Sequence, residues 1–299
     1  MGWLYMRWSL LSLSLSAFCG VCAMRPVLVT GGNKGIGRAI CERVLADHDD
    51  TRCFLGSRSL ERGEVAAAEI VRKVGCEASR CVVVELDVSN DASVAAAATT
   101  LATHLADQEL YGVVNNAGIG FGSGFSATLQ TNFWGVKRVC EAMLPLLAPD
   151  GRIVNIASAS GPNYISGASG PAEAAMLTDP KTDWETLEAC VKKYETMTDY
   201  ENVAYGLSKA SLNLYTIQLA RANRALSINA CTPGYILTDL TRGMGATNPP
   251  EKGTKAPLHC LFGELEVRSG RYYGSDAVRS PIDRYRGPGD PPFMGPETV

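Results

Sequence analysis

The stretch Thr30-Gly31-Gly32-Asn33-Lys34-Gly35-Ile36-Gly37 joins the short apolar run Val27–Thr30 to a helix-forming stretch, Gly37–Ala46. Glycines at 31, 35 and 37 remove side chains where the backbone has to turn and come close to a ligand. The helix that begins here offers unpaired N–H groups and the positive end of its dipole, a ready site for an anion such as a pyrophosphate. Three glycines alone also fit a plain turn. The preceding strand and the following helix are what make this a phosphate-binding turn.

The pattern repeats outward from that turn. Short β-branched runs at Val27–Thr30, Cys53–Gly56, Arg80–Leu86, Gly112–Asn115, Arg152–Ile156 and Ser227–Ala230 read as strands. Between them Gly37–Ala46, Arg62–Val74, Ala92–Ala106 and Thr131–Leu147 read as helices. Near-continuous apolar strands separated by helices imply an α/β fold: a doubly wound parallel sheet of Rossmann type, covered on both faces. The chain has 299 residues, of which 46% are hydrophobic and 20% charged, which excludes an intrinsically disordered protein. A net charge of −3 without basic runs gives no footprint for nucleic acid.

Residues 1–23 stand apart. Arg7 precedes an apolar run from Trp8 to Val21, with small residues at Cys22-Ala23, in the form of a secretory signal peptide. The run is too short for an integral membrane span. A second reading makes Met24 the true start, because Arg25-Pro26-Val27-Leu28-Val29 follows at once as a first strand. The first reading places the protein in the secretory pathway and the second in the cytoplasm. The ten cysteines show no metal-ligand spacing and read as small core residues of a reducing compartment, which fits the cytoplasm. Three scattered histidines give no support to a metal site. The expected organisation is a leader (1–23), one domain (24–286) with an insertion at about 161–202, and a Pro/Gly-rich tail (287–299).

The chemistry-bearing residues follow in order. Tyr205 and Lys209 are four apart on an expected helix and share one face. A nearby ammonium stabilises a phenolate and lowers a tyrosine pKa, making Tyr205 a usable general acid for a carbonyl oxygen. Ser158 follows the fifth strand, with Ser160 as the alternative if the register is displaced. No acidic residue stands about twenty residues past Gly37, where a carboxylate would hold a ribose hydroxyl. The segment reads Gly56-Ser57-Arg58-Ser59, and Arg58, with Lys34 as a second charge, suits a 2′-phosphate. Arg58 also reads as a solvated helix-start residue.

These residues resemble the short-chain dehydrogenase/reductases over residues 26 to about 275. TGGNKGIG resembles that family's TGxxxGxG fingerprint, and Tyr205 to Lys209 its YxxxK pair. The resemblance implies NADPH (NADP) as cofactor, held by Gly31, Asn33, Lys34, Gly35, Ile36, Gly37, Arg58, Asp87, Val88, Asn115, Ala117, Gly118, Tyr205, Lys209, Pro233, Gly234 and Thr238. Asp87 equally fits a helix-capping role. The resemblance also implies that Lys209 holds ribose, that Ser158 steadies the substrate oxygen, and that Asn132 holds a water linking Lys209 to solvent. One departure is Ala157, where the family usually has a further serine. Tyr235, Ile236, Leu237 and Met244 are apolar enough to line a substrate pocket.

Forty-seven positions separate Ser158 from Tyr205, far more than is usual in the family. Thr182-Asp183-Trp184-Glu185 has the form of a capping box, and Trp184, Leu187, Val191 and Tyr194 recur at helical spacing. A long insertion here resembles the carbonyl reductase branch, whose members are mostly monomeric NADPH enzymes. The expected activity is therefore NADPH-dependent reduction of a ketone, aldehyde or quinone by a monomer acting on a small-molecule carbonyl substrate. The alternatives are an NADP-linked alcohol or steroid-like dehydrogenase working oxidatively, and a dinucleotide-sensing protein without turnover.

Overall fold

The computed structural model describes residues 24–199, 202–266 and 268–295. Six strands fall where the apolar runs place them: β1 Arg25–Val29, β2 Thr51–Ser57, β3 Cys81–Glu85, β4 Leu110–Asn115, β5 Leu147–Ile156 and β6 Ser227–Cys231. A seventh, β7 Tyr272–Tyr273, has two residues and no apolar run to announce it. All pairings are parallel, in the order β3-β2-β1-β4-β5-β6-β7. The winding direction reverses between β1 and β4, so a crevice opens beyond the carboxyl ends of these strands, the usual ligand position in such sheets.

The helices are α1 Gly35–Asp47, α2 Leu60–Val74, α3 Asp91–Leu105, α4 Gly124–Leu129, α5 Gly135–Met143, α6 Ser160–Gly167, α7 Pro171–Thr178, α8 Trp184–Glu195, α9 Ala204–Ala222 and α10 Lys255–Phe262. Their ends follow local chemistry. Ser59 caps α2 by accepting from the Arg62 amide, and Gly75, at φ 75°, ends that helix by donating to Val71. Asn90 caps α3 through the Ser93 amide.

The stretch Thr131–Leu147 is not the single helix expected. Residues Gln130–Trp134 form a π-helical turn between α4 and α5, a short 3₁₀ turn follows at Leu144–Leu146, and Leu147 opens β5. Two apolar cores flank the sheet. Leu28, Phe54, Phe133 and Leu212 lie in one, and Val27, Ile40, Leu55 and Cys231 in the other. Cys41, Cys53, Cys81, Cys140, Cys231 and Cys260 are buried free thiols.

The stretch expected as an insertion folds as α6, α7 and α8. Leu187 and Val191 are fully buried, and Trp184 stacks on Phe133 at 6.2 Å between ring centres. The cap of α8 is Asp183, one residue later than the capping box expected, and it accepts from the Thr186 amide at 2.8 Å. Segment 287–295 is tied back by Phe293 N–H to the Arg279 carbonyl and by the Arg286 guanidinium to the Pro291 carbonyl. None of the helices among the described residues is long and apolar enough to cross a membrane. The leader, with Cys19 and Cys22, lies outside the described residues.

Candidate active site

Thr30, Asn116 and the glycines build the turn above β1. Thr30 Oγ1 accepts from the amides of Asn116 and Ala117, each at 3.0 Å. Asn116 Nδ2 donates to the carbonyls of Thr30 at 2.9 Å and Gly31 at 3.2 Å. A Cβ at Gly37 would lie 2.3 Å from both Asn116 Nδ2 and the Gly31 oxygen, so only glycine lets helix and turn meet. Gly31, at φ +65°, supplies the left-handed turn itself. Lys34 stands at the cap position of α1 and makes no side-chain cap bond, which leaves the first helical N–H groups open to an anion.

The turn's basic residues divide. Arg58 is exposed and makes no hydrogen bond among the described residues. Burial acts to raise the Asp87 carboxyl, but two bonds from Ser89 and the charge of Arg58 hold it below the ordinary value. Asp87 does not cap α3; that place belongs to Asn90. Lys34 departs from the expectation. Its ammonium is paired with Asp239 at 2.8 Å, because the loop after β6 crosses the glycine turn. Thr238 packs there as well, with its Cγ2 3.3 Å from where a Cβ on Gly35 would stand.

Two other cofactor candidates have side chains engaged within the fold. The Asn115 side chain is buried and donates to Asn155 Oδ1 at 2.8 Å and to Cys140 Sγ at 3.3 Å. Val88 is buried against the start of α5, with Cγ2 2.9 Å from the position of a Cβ on Gly135. Asn115 ties β4 to β5 and Val88 packs on α5, so their backbones, more than their side chains, are left to meet a cofactor. Asn33, Ile36 and Ala117 are half-buried and Gly118 is exposed along the rim. Pro233 is buried, and Gly234, at φ +91°, backs onto Ser275.

The catalytic candidates come together on α9 and its neighbours. Glycines make that packing close: a Cβ on Gly161 would lie 3.0 Å from Ala210 N, and one on Gly206 2.9 Å from Tyr164 Cβ. Tyr205 is 9% exposed. Burial pushes its phenol above the ordinary value, and a hydrogen bond with Ser158 opposes part of that. Ser158 Oγ also donates to Ser160 Oγ at 3.3 Å and accepts from the Ser160 amide at 3.1 Å. Lys209 Nζ donates to the Ile156 carbonyl at 2.8 Å and lies 5.7 Å from the Tyr205 ring centre. Burial pushes the Lys209 ammonium down to about 8. The expected lowering of Tyr205 by Lys209 therefore does not prevail here, because desolvation dominates both groups. A phenol held up in pKa stays protonated at neutral pH, as a proton donor must.

Asn132 sits in the π turn, a feature frequent at functional sites. Its Oδ1 accepts from the Ile119 amide and its Nδ2 donates to the Ile119 carbonyl, both at 2.9 Å. Nδ2 also donates to Ser208 Oγ at 3.2 Å. Asn132 and Lys209 both border Gly118: a Cβ there would lie 3.3 Å from Asn132 Oδ1 and 3.8 Å from Lys209 Nζ.

The mouth is apolar. Phe121, Tyr235, Leu237 and Met244 are between 44% and 50% exposed. Ile236, expected beside them, is buried and packs toward Gly253. The sequence gives no separate role to Asn116 and Asp239 within their motifs, and nothing in it singles out Phe121 or Asp199. Asn116 stands beside Asn115 in one motif, and β4 alternation was the signal that separates their directions. Asp199 accepts from the amides of Val203 and Ala204 at the start of α9.

The model of the short chain dehydrogenase family matches residues 25–170. Carbonyl reductase [NADPH] 1 of Mus musculus is 31% identical over 79% of this chain and 90% of its own length. The (+)-neomenthol dehydrogenase of Arabidopsis thaliana is 29% identical over 85% of this chain and 97% of its own. Salutaridine reductase from Papaver somniferum superposes with a TM-score of 0.73 at 25% identity, over 83% of this chain and 99% of that one. The chain belongs to the short-chain dehydrogenase/reductase family.

Proposed function

We infer that the protein is an NADPH-dependent reductase of ketones, aldehydes or quinones. The observation that carries this reading is the buried Tyr205, with Ser158 and Lys209 beside it, at the sheet end where α1 lies uncapped. The residues present fit the cofactor. The Gly31–Gly37 turn with open N–H groups suits a pyrophosphate, and the exposed Arg58, which makes no hydrogen bond among the described residues, suits a 2′-phosphate. Asn33, Ile36, Ala117, Gly118, Pro233, Gly234 and Thr238 would flank it. When bound, the reduced nicotinamide supplies the hydride for the carbonyl carbon.

The chain's own groups do the rest. Ser158 orients the carbonyl oxygen by hydrogen bonding. Tyr205 donates its proton to that oxygen as negative charge develops there. Lys209 then stabilises the phenolate and is placed to bind ribose. Asn132 acts through the Gly118–Ile119 backbone, which it fixes at the edge of the proton path. The chain keeps both Tyr205 and Lys209, which favours turnover over a sensor without chemistry.

The insertion packs α8 on α9 and the π turn, and we propose a monomer on that basis. The buried free thiols suit a reducing compartment, and the cytoplasm is the proposed location. The test of function is oxidation of NADPH, against NADH, with a panel of quinones, ketones and aldehydes. Absence of carbonyl-dependent oxidation across the panel would defeat the reading.

A further inference from the structure

Tyr205 has to reach a substrate oxygen, yet it is 9% exposed. Part of its cover is Phe121, whose ring centre lies 4.9 Å from that of Tyr205 at an interplanar angle of 50°. Phe121 itself is 44% exposed, so it is a roof and no part of the core.

The roof is hung on glycines. The segment reads Gly118-Ile119-Gly120-Phe121-Gly122-Ser123-Gly124. Gly122 and Gly124 have φ of +81° and +73°, with nothing within 4 Å of a Cβ on either. The tip is not packed against the body, and its two glycines hold backbone conformations that other residues rarely adopt. On its inner side the roof has one close apolar seat: a Cβ on Gly120 would lie 2.6 Å from Leu240 Cγ, on the loop that follows β6. Upstream, the loop is fixed by the two Asn132 bonds to Ile119. A fixed base, an unpacked tip and an aromatic ring over the acid are the parts a hinged cover needs.

We propose that Phe121 is a specificity-determining residue, a hinged aromatic roof over Tyr205 that a flat conjugated carbonyl compound displaces and stacks against, and that a short aliphatic one does not. The proposal rests on the reductase reading. A planar substrate replaces the ring contact that Tyr205 loses when the roof opens. Propanal offers no face to do so. Aromatic contacts of this kind correspond to roughly a two- to tenfold preference.

The test compares wild type, Phe121→Ala and Phe121→Tyr with a naphthoquinone and with propanal. Phe121→Ala is expected to lower kcat/KM for the naphthoquinone roughly two- to tenfold, mainly through KM, and to leave propanal equal or better. Phe121→Tyr keeps a ring and should keep the wild-type ratio. A second readout is independent of turnover. Nitration of Tyr205 by tetranitromethane, followed by peptide mass mapping, should be several times faster in Phe121→Ala than in wild type. An unchanged substrate ratio in Phe121→Ala, or equal Tyr205 nitration in the two proteins, overturns the proposal. A wild type that oxidises NADPH with no carbonyl compound defeats the reductase reading instead, and nitration still judges the roof.

Discussion

The Lys209 ammonium donates to the Ile156 carbonyl oxygen at 2.8 Å, tying the middle of α9 to the end of β5. One carbonyl does not replace the water that a buried ammonium gives up, and burial drives its pKa from 10.5 to about 8. The unfolded chain then binds more protons than the folded one between about pH 8 and the ordinary lysine value. Stability contributed by Lys209 therefore rises with pH across that window, and it is lost as pH falls through about 8. Lys209→Met removes the effect. The variant's gain in melting temperature over wild type should be largest near pH 7 and shrink by pH 10. A gain that does not vary with pH would contradict the assignment.

Tyr205→Phe keeps the ring under Phe121 and removes the proton donor. Turnover should fall by at least about a hundredfold, the scale of general-acid loss. NADPH binding, followed by fluorescence titration, should persist. Near-normal turnover in the variant would remove Tyr205 from the chemistry.

Asp199 accepts from the amides of Val203 at 2.8 Å and Ala204 at 3.3 Å, the two residues just before the reacting tyrosine. It thus fixes the first turn of the helix that carries Tyr205. Asp199→Ala should cost about 1 kcal/mol of stability and lower kcat more than it raises KM. Asp199→Asn, which retains an acceptor, should recover most of both. An alanine variant with unaltered kcat would make Asp199 a cap and nothing more.

Much of this was legible in the chain. Strands buried on both faces make continuous apolar runs, so β1 to β6 were found within a few residues, apart from the early start of β5. β7 escaped because two tyrosines have no period. The π turn escaped because apolar spacing does not reveal hydrogen-bond register, and Leu147 continues a helical pattern although it opens a strand. In the site, Ser158, Tyr205 and Lys209 were legible through their order along the chain. The pairing of Lys34 was not legible because its partner, Asp239, lies 205 positions away. Phe121 and Asp199 act through contacts that no local pattern encodes.

The last prediction concerns the two basic residues at the turn, which the structure makes unequal. Arg58 is exposed and free to fork onto a 2′-phosphate, whereas Lys34 is already paired with Asp239. A charge-assisted bond to phosphate contributes about 1.5–3 kcal/mol, less in salt. Arg58→Ala should therefore raise the NADPH KM roughly tenfold to a hundredfold and barely change that for NADH. Lys34→Ala should cost less, because its ammonium has to leave Asp239 before it serves the phosphate. Asp239→Asn removes that competitor while keeping the loop's hydrogen-bonding capacity. It should lower the NADPH KM and leave NADH unaffected. Steady-state kinetics of the three variants with both cofactors checks the ranking. Equal losses for NADPH and NADH in Arg58→Ala would make Arg58 structural and withdraw the main support for a phosphate at that position.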